Sequence, residues 1–406
     1  MSWEVIRQNS FEREEIKLKH IIIVMLTLRM GGAEKALISL LKSLDPKRID
    51  VDLYLFETGG VLQKEVPAWV KIIEADPVSR GMTLEMRNYM GEILKNRKFL
   101  AAADRIKITL RAKRGKSFFS WNIIKRHISR VEGHYDVAVG FMEGFADFFV
   151  LDRVDADRKI GWIHTDMTGR VPDRQEIVYY GQFDALATIS DMCRNAFVNI
   201  FPNTKGRIRV IENIVLPEEI IHKAEEMTDI EWDLSKVQLV SVGRLEYPKG
   251  FDIGAQVAKI LRDRGYDFCW HVYGQGIMEE EIRQYIKENN LEKCYVLEGL
   301  KPNPYPYMKK ADLIVQPSRW EGKSLVLDEA KILGKAIVVT RYPSVSDQII
   351  NEKTGIITDI KPEAIASGIE KLIRKKELRI QLEENCKREI NRSYQVINQF
   401  YEMIGV

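Results

Sequence analysis

Cysteine is scarce in this sequence: Cys193, Cys269, Cys294 and Cys386 are the four among 406 residues, far apart and without CxxC or Cys/His ligand spacing. That spacing argues against a disulfide framework or a zinc knot, and the four read as reduced thiols in a cytosolic protein. Long apolar runs are missing too. The strongest near the start, Ile21 to Leu28, is much too short for a bilayer and runs into Arg29 and glycines. It reads as a buried strand, and neither a signal peptide nor a transmembrane helix is expected. Charge of one sign is not in excess, since a net charge of +3 gives no case for nucleic acid. There is no short-period repeat or low-complexity tract. No full Gly-x-Gly-x-x-Gly with a following ribose-binding acid appears, which weighs against a nicotinamide-dependent dehydrogenase.

What is present is an ordinary globular composition, 45% hydrophobic and 30% charged, in a chain long enough for two α/β domains with separate cores. Strand-like and helix-like segments alternate throughout, which predicts parallel sheets. The first series holds His20 to Leu28, Val51 to Phe56, Asp136 to Gly140, Lys159 to Ile163 and Ala185 to Ile189. A second series holds Val237 to Val242, Phe268 to Tyr273, Cys294 to Leu297, Asp312 to Gln316 and Ala336 to Thr340. Each series can build one doubly wound sheet, so the expected fold is α/β with two Rossmann-like domains. The polar, acidic stretch Pro217 to Ser235 separates them. The expected division is 1–213 and 214–385, with 386–406 a terminal helix returning to the first domain.

One segment of the second series stands out, Ser318-Arg-Trp-Glu321-Gly322-Lys-Ser-Leu-Val-Leu-Asp-Glu329-Ala330. Leu325, Val326, Ala330 and Leu333 recur at helical spacing, and Glu329 falls within that apolar stripe. An inward carboxylate costs several kcal/mol unless it is paired or hydrogen-bonded, so a polar ligand or a fixed ion pair explains it. Glu321 sits just past the carboxyl end of a strand, the edge at which open α/β sheets hold ligands. Arg244 and Lys249, in Val242-Gly243-Arg244 to Gly250, follow the first strand of the second series. A fixed Arg and Lys there can grip a diphosphate without a metal, and a basic surface turn is the plainer reading. Gly274 and Gly276 close the next strand and can pass amides to a nucleotide, or form a simple turn. Gly31 and Gly32 precede a helix beginning near Ala33, either an anion site or a tight turn. His164 ends a strand at the same edge, where it faces a cleft or is solvated. Asp155-Ala-Asp157 is similar to the metal-binding Asp-x-Asp of another class of sugar transferase, but it precedes its strand and is set aside.

Between residues 95 and 130, Lys95, Arg97, Lys98, Arg105, Lys107, Arg111, Lys113, Arg114, Lys116, Lys125, Arg126 and Arg130 interleave with Phe99, Leu100, Ile106, Ile108, Leu110, Phe118, Phe119 and Trp121. Such a segment suits an anionic membrane surface, and a solvated helical face accounts for the same run.

Taken together and in this order, these segments resemble the retaining GT-B glycosyltransferases of family four, with their Glu-x7-Glu motif and nucleotide-sugar donors. The resemblance is strongest from Val237 to about Gln348. It implies two domains facing across a cleft, the first for acceptor and the second for donor, with no cofactor and no metal. By the same resemblance Glu329 binds the ribose hydroxyls, Glu321 faces the transferred sugar, and Arg244 and Lys249 hold the diphosphate. Gly31 and Gly32 lie near the donor phosphate, His164 contacts the donor sugar, and Gly243, Gly274, Gly276, Gly322, Lys323, Ser324 and Leu325 line the donor site. The implied reaction moves a hexose or N-acetylhexosamine from a nucleoside diphosphate, expected to be UDP, to a saccharide or lipid-linked saccharide with retention. The expected setting is cytoplasmic, peripheral on the inner face of the plasma membrane, as in capsular and exopolysaccharide biosynthesis. A nucleotide-sugar epimerase of the same plan and a non-catalytic sugar-nucleotide-binding partner are the alternatives. Two departures stand out: Glu321-Gly322-Lys323-Ser324 replaces the usual Glu-Gly-Phe-Gly, and Ile211-Glu212-Asn213-Ile replaces a Pro-Asn-Gly hinge.

Overall fold

A computed structural model describes residues 18–84, 86–113, 120–227, 231–388 and 393–406. The first sheet is built from β1 (Lys19–Met25), β2 (Ile49–Leu55), β3 (Lys71–Glu74), β4 (His134–Gly140), β5 (Asp155–Ile163), β6 (Ala185–Thr188) and β7 (Ile208–Val210). All pairings are parallel and the order is β3-β2-β1-β4-β5-β6-β7. A parallel sheet needs cover on both faces, and the alternation along β1 supplies it. Ile21, Ile23 and Met25 enter one core, while Ile22 and Val24 enter the other.

The second sheet contains β8 (Val237–Val242), β9 (Phe268–Tyr273), β10 (Tyr295–Gly299), β11 (Leu313–Gln316), β12 (Ala336–Thr340) and β13 (Ile356–Thr358). It is also wholly parallel, in the order β10-β9-β8-β11-β12-β13. The order reverses direction between β1 and β4 in one sheet and between β8 and β11 in the other. Crevices open at the carboxyl ends of the strands at such points. The last helix, Ser393–Ile404, packs Val396, Ile397, Phe400, Tyr401, Met403 and Ile404 into the core of the first sheet.

Three strands were not expected from sequence, β3, β7 and β13, and all are short edge strands of three or four residues. At that length no two-residue periodicity can develop. Asp155 and Asp157 correct a detail: they belong to β5 as its first and third residues, because His134 pairs with Asp155 in the ladder. They remain at the amino edge, far from the crevice side, and flank His134 at 3.2 Å each.

Candidate functional site

On the second-domain side, the chain leaves β8 through Gly243 and Arg244 and makes a short turn, Tyr247–Lys249, before the helix Phe251–Asp263. Gly250 joins turn and helix at φ 68°, a left-handed conformation, and a Cβ there would overlap the carbonyl oxygen of Pro317. Only glycine satisfies both conditions cheaply. This close approach ties the β8 loop to the end of β11. Arg319 reinforces it by gripping Asp252 at 2.8 and 2.5 Å and stacking 3.9 Å from the Tyr247 ring centre. Lys249 Nζ consequently reaches both oxygens of Glu321 at 2.7 Å. Glu321 Oε1 also accepts from Gln316 Nε2 at 2.9 Å and Ser318 Oγ at 2.8 Å. A nearly buried ion pair persists only with this kind of polar support.

The first-domain side meets it through Gly31 and Gly32, which open the helix Gly32–Ser43. The Glu34 carboxylate folds back over Gly31, where a Cβ would overlap Glu34 Oε2. Burial raises the Glu34 carboxyl above its ordinary value, opposed by a hydrogen bond from its own backbone and by the positive charges of Arg244 and Arg29. The next residue, Lys35, donates to Glu329 Oε1 at 2.9 Å across the domain boundary. Because Glu34 and Lys35 are consecutive, the start of one helix stands between Arg244 and Glu329. Glu329 is 3% exposed, and Tyr305 OH also donates to its Oε1 at 2.9 Å. Its second oxygen, Oε2, is buried with no partner among the described residues. A cavity beside it is lined by Lys35, Ile38, Ile214, Leu216 and Tyr305.

His164 lies at the end of β5, its backbone N–H donated to Glu143 at 2.9 Å. Its ring stacks on Trp162, 5.8 Å between centres and 10° between planes. Both ring nitrogens are buried without a partner among the described residues, and burial pulls the imidazole down to about 3, so it is neutral near pH 7. Gly322 packs against this loop: a Cβ there would stand 2.9 Å from the His164 carbonyl oxygen and 3.1 Å from Ile189 Cδ1. Lys323, 7% exposed at its side chain, crosses the boundary to Glu212 at 2.6 Å. The two segments that depart from the resembled pattern are therefore joined to each other.

Contacts between the two domains run from Lys35 to Glu329, from Lys323 to Glu212 and from Gly322 to the His164 carbonyl, and Arg244 is near enough to Glu34 to act on its charge. Gly274 and Gly276 stand where the β9 loop meets the β8 loop. Cβ atoms there would overlap the carbonyl oxygens of Gly243 and Leu245, and the Gly274 N–H is already donated to Gly299 at 2.9 Å. They let the β9 loop pack on the β8 loop. Ser324 is similarly committed, its N–H bonded to Gln348 Oε1 at 2.8 Å and its hydroxyl to Gln316 Oε1 at 2.9 Å. The Leu325 side chain is buried and lines the same cavity as Glu329. Glu34, Lys35, Tyr305, Gln316 and Gln348 were missed, and Glu212 stood out only as a departure from the hinge pattern. A charged pair directly after a glycine turn and a glutamine ending an apolar strand were the available signals. Of the basic segment, Arg114, Lys116, Phe118 and Phe119 lie outside the described residues.

Comparison with known proteins agrees with this architecture. Residues 222–389 match the family model described as Glycosyl transferases group 1. A Campylobacter jejuni protein, N-acetylgalactosamine-N,N'-diacetylbacillosaminyl-diphospho-undecaprenol 4-alpha-N-acetylgalactosaminyltransferase, is 28% identical over 192 residues, 44% of this chain and 52% of the relative. The amylovoran biosynthesis glycosyltransferase AmsK of Erwinia amylovora is 27% identical over 141 residues, 33% of this chain and 34% of the relative. The chain thus spans about half or less of the length of these curated relatives. Among solved structures, a mutant of S. aureus TarM in complex with fondaparinux, alpha-GlcNAc-glycerol and UDP superposes with a TM-score of 0.69 at 15% identity, covering 96% of this chain and 100% of the other. Anabaena HepE in complex with UDP gives 0.67 at 15% identity, with the same coverage of both chains. At such identity the likeness is one of fold: two facing Rossmann-like domains in the GT-B arrangement.

Proposed function

We propose that this chain is a glycosyltransferase that moves a hexose or N-acetylhexosamine from a UDP-linked donor to a saccharide or lipid-linked saccharide, with retention and without a metal. The observation that carries the reading is the convergence of Lys249–Glu321 and Glu329 from one domain with His164, Glu34 and Lys35 from the other. Buried polar atoms also stand without a partner among the described residues in each domain: Glu329 Oε2 and both nitrogens of His164. Hydroxyl-rich ligands satisfy such atoms. The matched family model, the names of the relatives and the UDP in the structures of similar fold support the same class.

In this reading Glu329 Oε2 accepts a ribose hydroxyl, and Arg244 with Lys249 lies against the diphosphate. The bond between the anomeric carbon and the phosphate oxygen breaks, and charge accumulates on the leaving diphosphate as the sugar becomes oxocarbenium-like. Two cations placed there lower the barrier and take the part a divalent metal plays elsewhere. The acceptor hydroxyl attacks from the face the phosphate leaves, and its proton passes to a phosphate oxygen. Lys249 keeps Glu321 occupied and His164 is neutral, so both orient the sugar instead of exchanging protons. Closure of the crevice keeps water from the reactive carbon.

The test is a thermal-shift screen of UDP, GDP and ADP sugars, followed by transfer assays with saccharide and lipid-linked acceptors. A UDP sugar is expected to stabilise the wild type, and Glu329→Ala to lose most of that shift. Arg244→Ala is expected to slow transfer by about 100-fold. Conversion of donor without acceptor marks an epimerase instead, and full nucleotide affinity without turnover marks a binding partner. No stabilisation by any of the three sugar-nucleotide classes refutes the proposal.

A further inference from the structure

The first sheet splits at one place. The ladder between β4 and β5 runs to Gly140 opposite Gly161 and ends there. Beyond that pair β4 stays with β1, the Phe141 N–H donating to the Val24 carbonyl at 2.9 Å, while β5 continues beside β6 as far as Ile163. Lys159 exchanges hydrogen bonds with Asp184 on the β6 side, through its carbonyl at 3.0 Å and its N–H at 2.7 Å. Backbone groups alternate along a strand, so the N–H groups of Trp162 and His164 point the other way, into the gap that β4 has left. Two acids from the connection after β4 fill it. Gly144, at φ 87°, turns the chain into the helix Phe145–Arg153, with Glu143 just before the turn and Asp147 in the first helical turn. Asp147 Oδ1 accepts from the Trp162 N–H at 3.2 Å and Glu143 Oε2 from the His164 N–H at 2.9 Å. Glu143 Oε1 accepts from the Thr165 hydroxyl.

The gap is shaped for these side chains. A Cβ on Gly140 would stand 2.6 Å from Asp147 Oδ1 and one on Gly161 3.0 Å from the same atom, so what glycine supplies at both positions is room. Asp147 has no exposed surface, and burial, followed by the charge of Glu143, pushes its carboxyl well above the usual carboxylate range. The carboxyl groups replace the strand edge that β4 withdraws, and they do so at the two residues whose rings stack on each other, Trp162 and His164. His164 carries its neighbours with it: its carbonyl oxygen is the atom that a Cβ on Gly322 of the second domain would meet, and its ring nitrogens have no partner among the described residues. We propose that Glu143 is a positioning residue for sugar transfer, which aims the His164 ring at the transferred sugar by holding the His164 N–H and the Thr165 hydroxyl, with Asp147 bracing Trp162 beneath it. The inference rests on the transferase reading, in which His164 orients the sugar. It gives Glu143 no proton to exchange, since both its oxygens accept hydrogen bonds from the loop.

The experiment is titration calorimetry of the full chain with UDP, UDP-glucose, UDP-N-acetylglucosamine and UDP-N-acetylgalactosamine. Wild type is compared with Glu143→Ala, Glu143→Gln, His164→Ala and the variant carrying both alanines. For the sugar nucleotide that wild type binds most tightly, Glu143→Ala is expected to weaken binding about 10-fold, while the Kd of UDP itself stays at the wild-type value. Glu143→Gln keeps one accepting oxygen at the same reach and should lose only about threefold, and it carries the comparison if the alanine variant does not fold. The double variant is expected to bind no more weakly than His164→Ala, because both changes act through one ring. Hydrogen exchange at the His164 amide should quicken in both Glu143 variants. Equal weakening of UDP and sugar nucleotide would mean general damage and overturns the proposal. Wild-type affinity in both Glu143 variants, or additive losses in the double variant, overturns it as well, and either result leaves the transferase reading standing. If wild type binds none of the four nucleotides, the transferase reading falls and takes this inference with it.

Discussion

Replacing Lys35 with methionine removes the ammonium that spans the two domains and leaves the Glu329 carboxylate with Tyr305 as its remaining partner. The pair is 2.9 Å long, with the glutamate side chain 3% and the lysine 21% exposed. Stripping one partner from a fully buried pair costs about 3–5 kcal/mol. Lysine here keeps a fifth of its surface in water and Tyr305 OH still donates to the same oxygen, so about 2 kcal/mol is the reasonable figure for the closed form. If a ribose hydroxyl takes Oε2 while Lys35 holds Oε1, that loss appears in nucleotide affinity as roughly a 30-fold weaker Kd. Titration calorimetry of UDP against wild type, Lys35→Met, Glu329→Gln and the double variant measures it. The double variant is expected to bind about as the weaker single one does, because both remove one interaction. Lys35→Arg, which keeps the charge, is expected to recover most of the affinity. Small-angle scattering should show the methionine variant more open without UDP. The reasoning fails if Lys35→Met binds UDP as tightly as wild type or more tightly, for then the lysine competes with the ribose.

Gly322→Val places a side chain against the His164 carbonyl and Ile189 at 2.9 and 3.1 Å. A backbone atom cannot yield as a flexible side chain does, so UDP-driven closure should disappear from small-angle scattering while circular dichroism stays native; a wild-type closure would show the contact to be dispensable. His164 supplies a pH dependence. Its imidazole is held down at about 3 against an ordinary 6.5, so between those values the unfolded chain binds more protons and stability falls as pH drops below 6.5, while above it the contribution is constant. The slope approaches about 1.4 kcal/mol per pH unit at most, and urea unfolding of His164→Gln beside wild type should show a shallower acid decline; parallel curves would mean that the imidazole titrates normally.

The two sheets were legible because Val and Ile runs bounded by turn residues recur with helical patterns between them. The carboxyl-edge positions of Glu321, Lys249 and His164 followed from that alone. What stayed hidden depends on distance in space. Lys35 reads as an ordinary polar residue on a helix until the second domain brings Glu329 to it, 294 positions away. The Lys323–Glu212 pair was invisible for the same reason, though both residues had been noticed singly as departures from a pattern. Gly274 and Gly276 show the opposite limit, since a glycine needed for a ligand and one needed for a neighbouring backbone look identical in sequence. The exposure of Phe99 and Leu100 could not be read either, because their helix, Phe99–Lys113, carries apolar residues on its buried side as well.

The terminal helix has a consequence for how the molecule is made. Phe400, Met403 and Ile404 are fully enclosed in the core beneath β1, so that core lacks a wall until the ribosome has passed residue 404. The strands β8 to β13 form one contiguous stretch of chain and need nothing from it. At about 5–20 residues per second, translation from the linker near residue 214 to residue 404 takes roughly 10–40 s. Throughout that time the early sheet waits with one side open, and the later half can mature first. A nascent chain stalled before Ser393 should accordingly bind chaperones through its amino-terminal half.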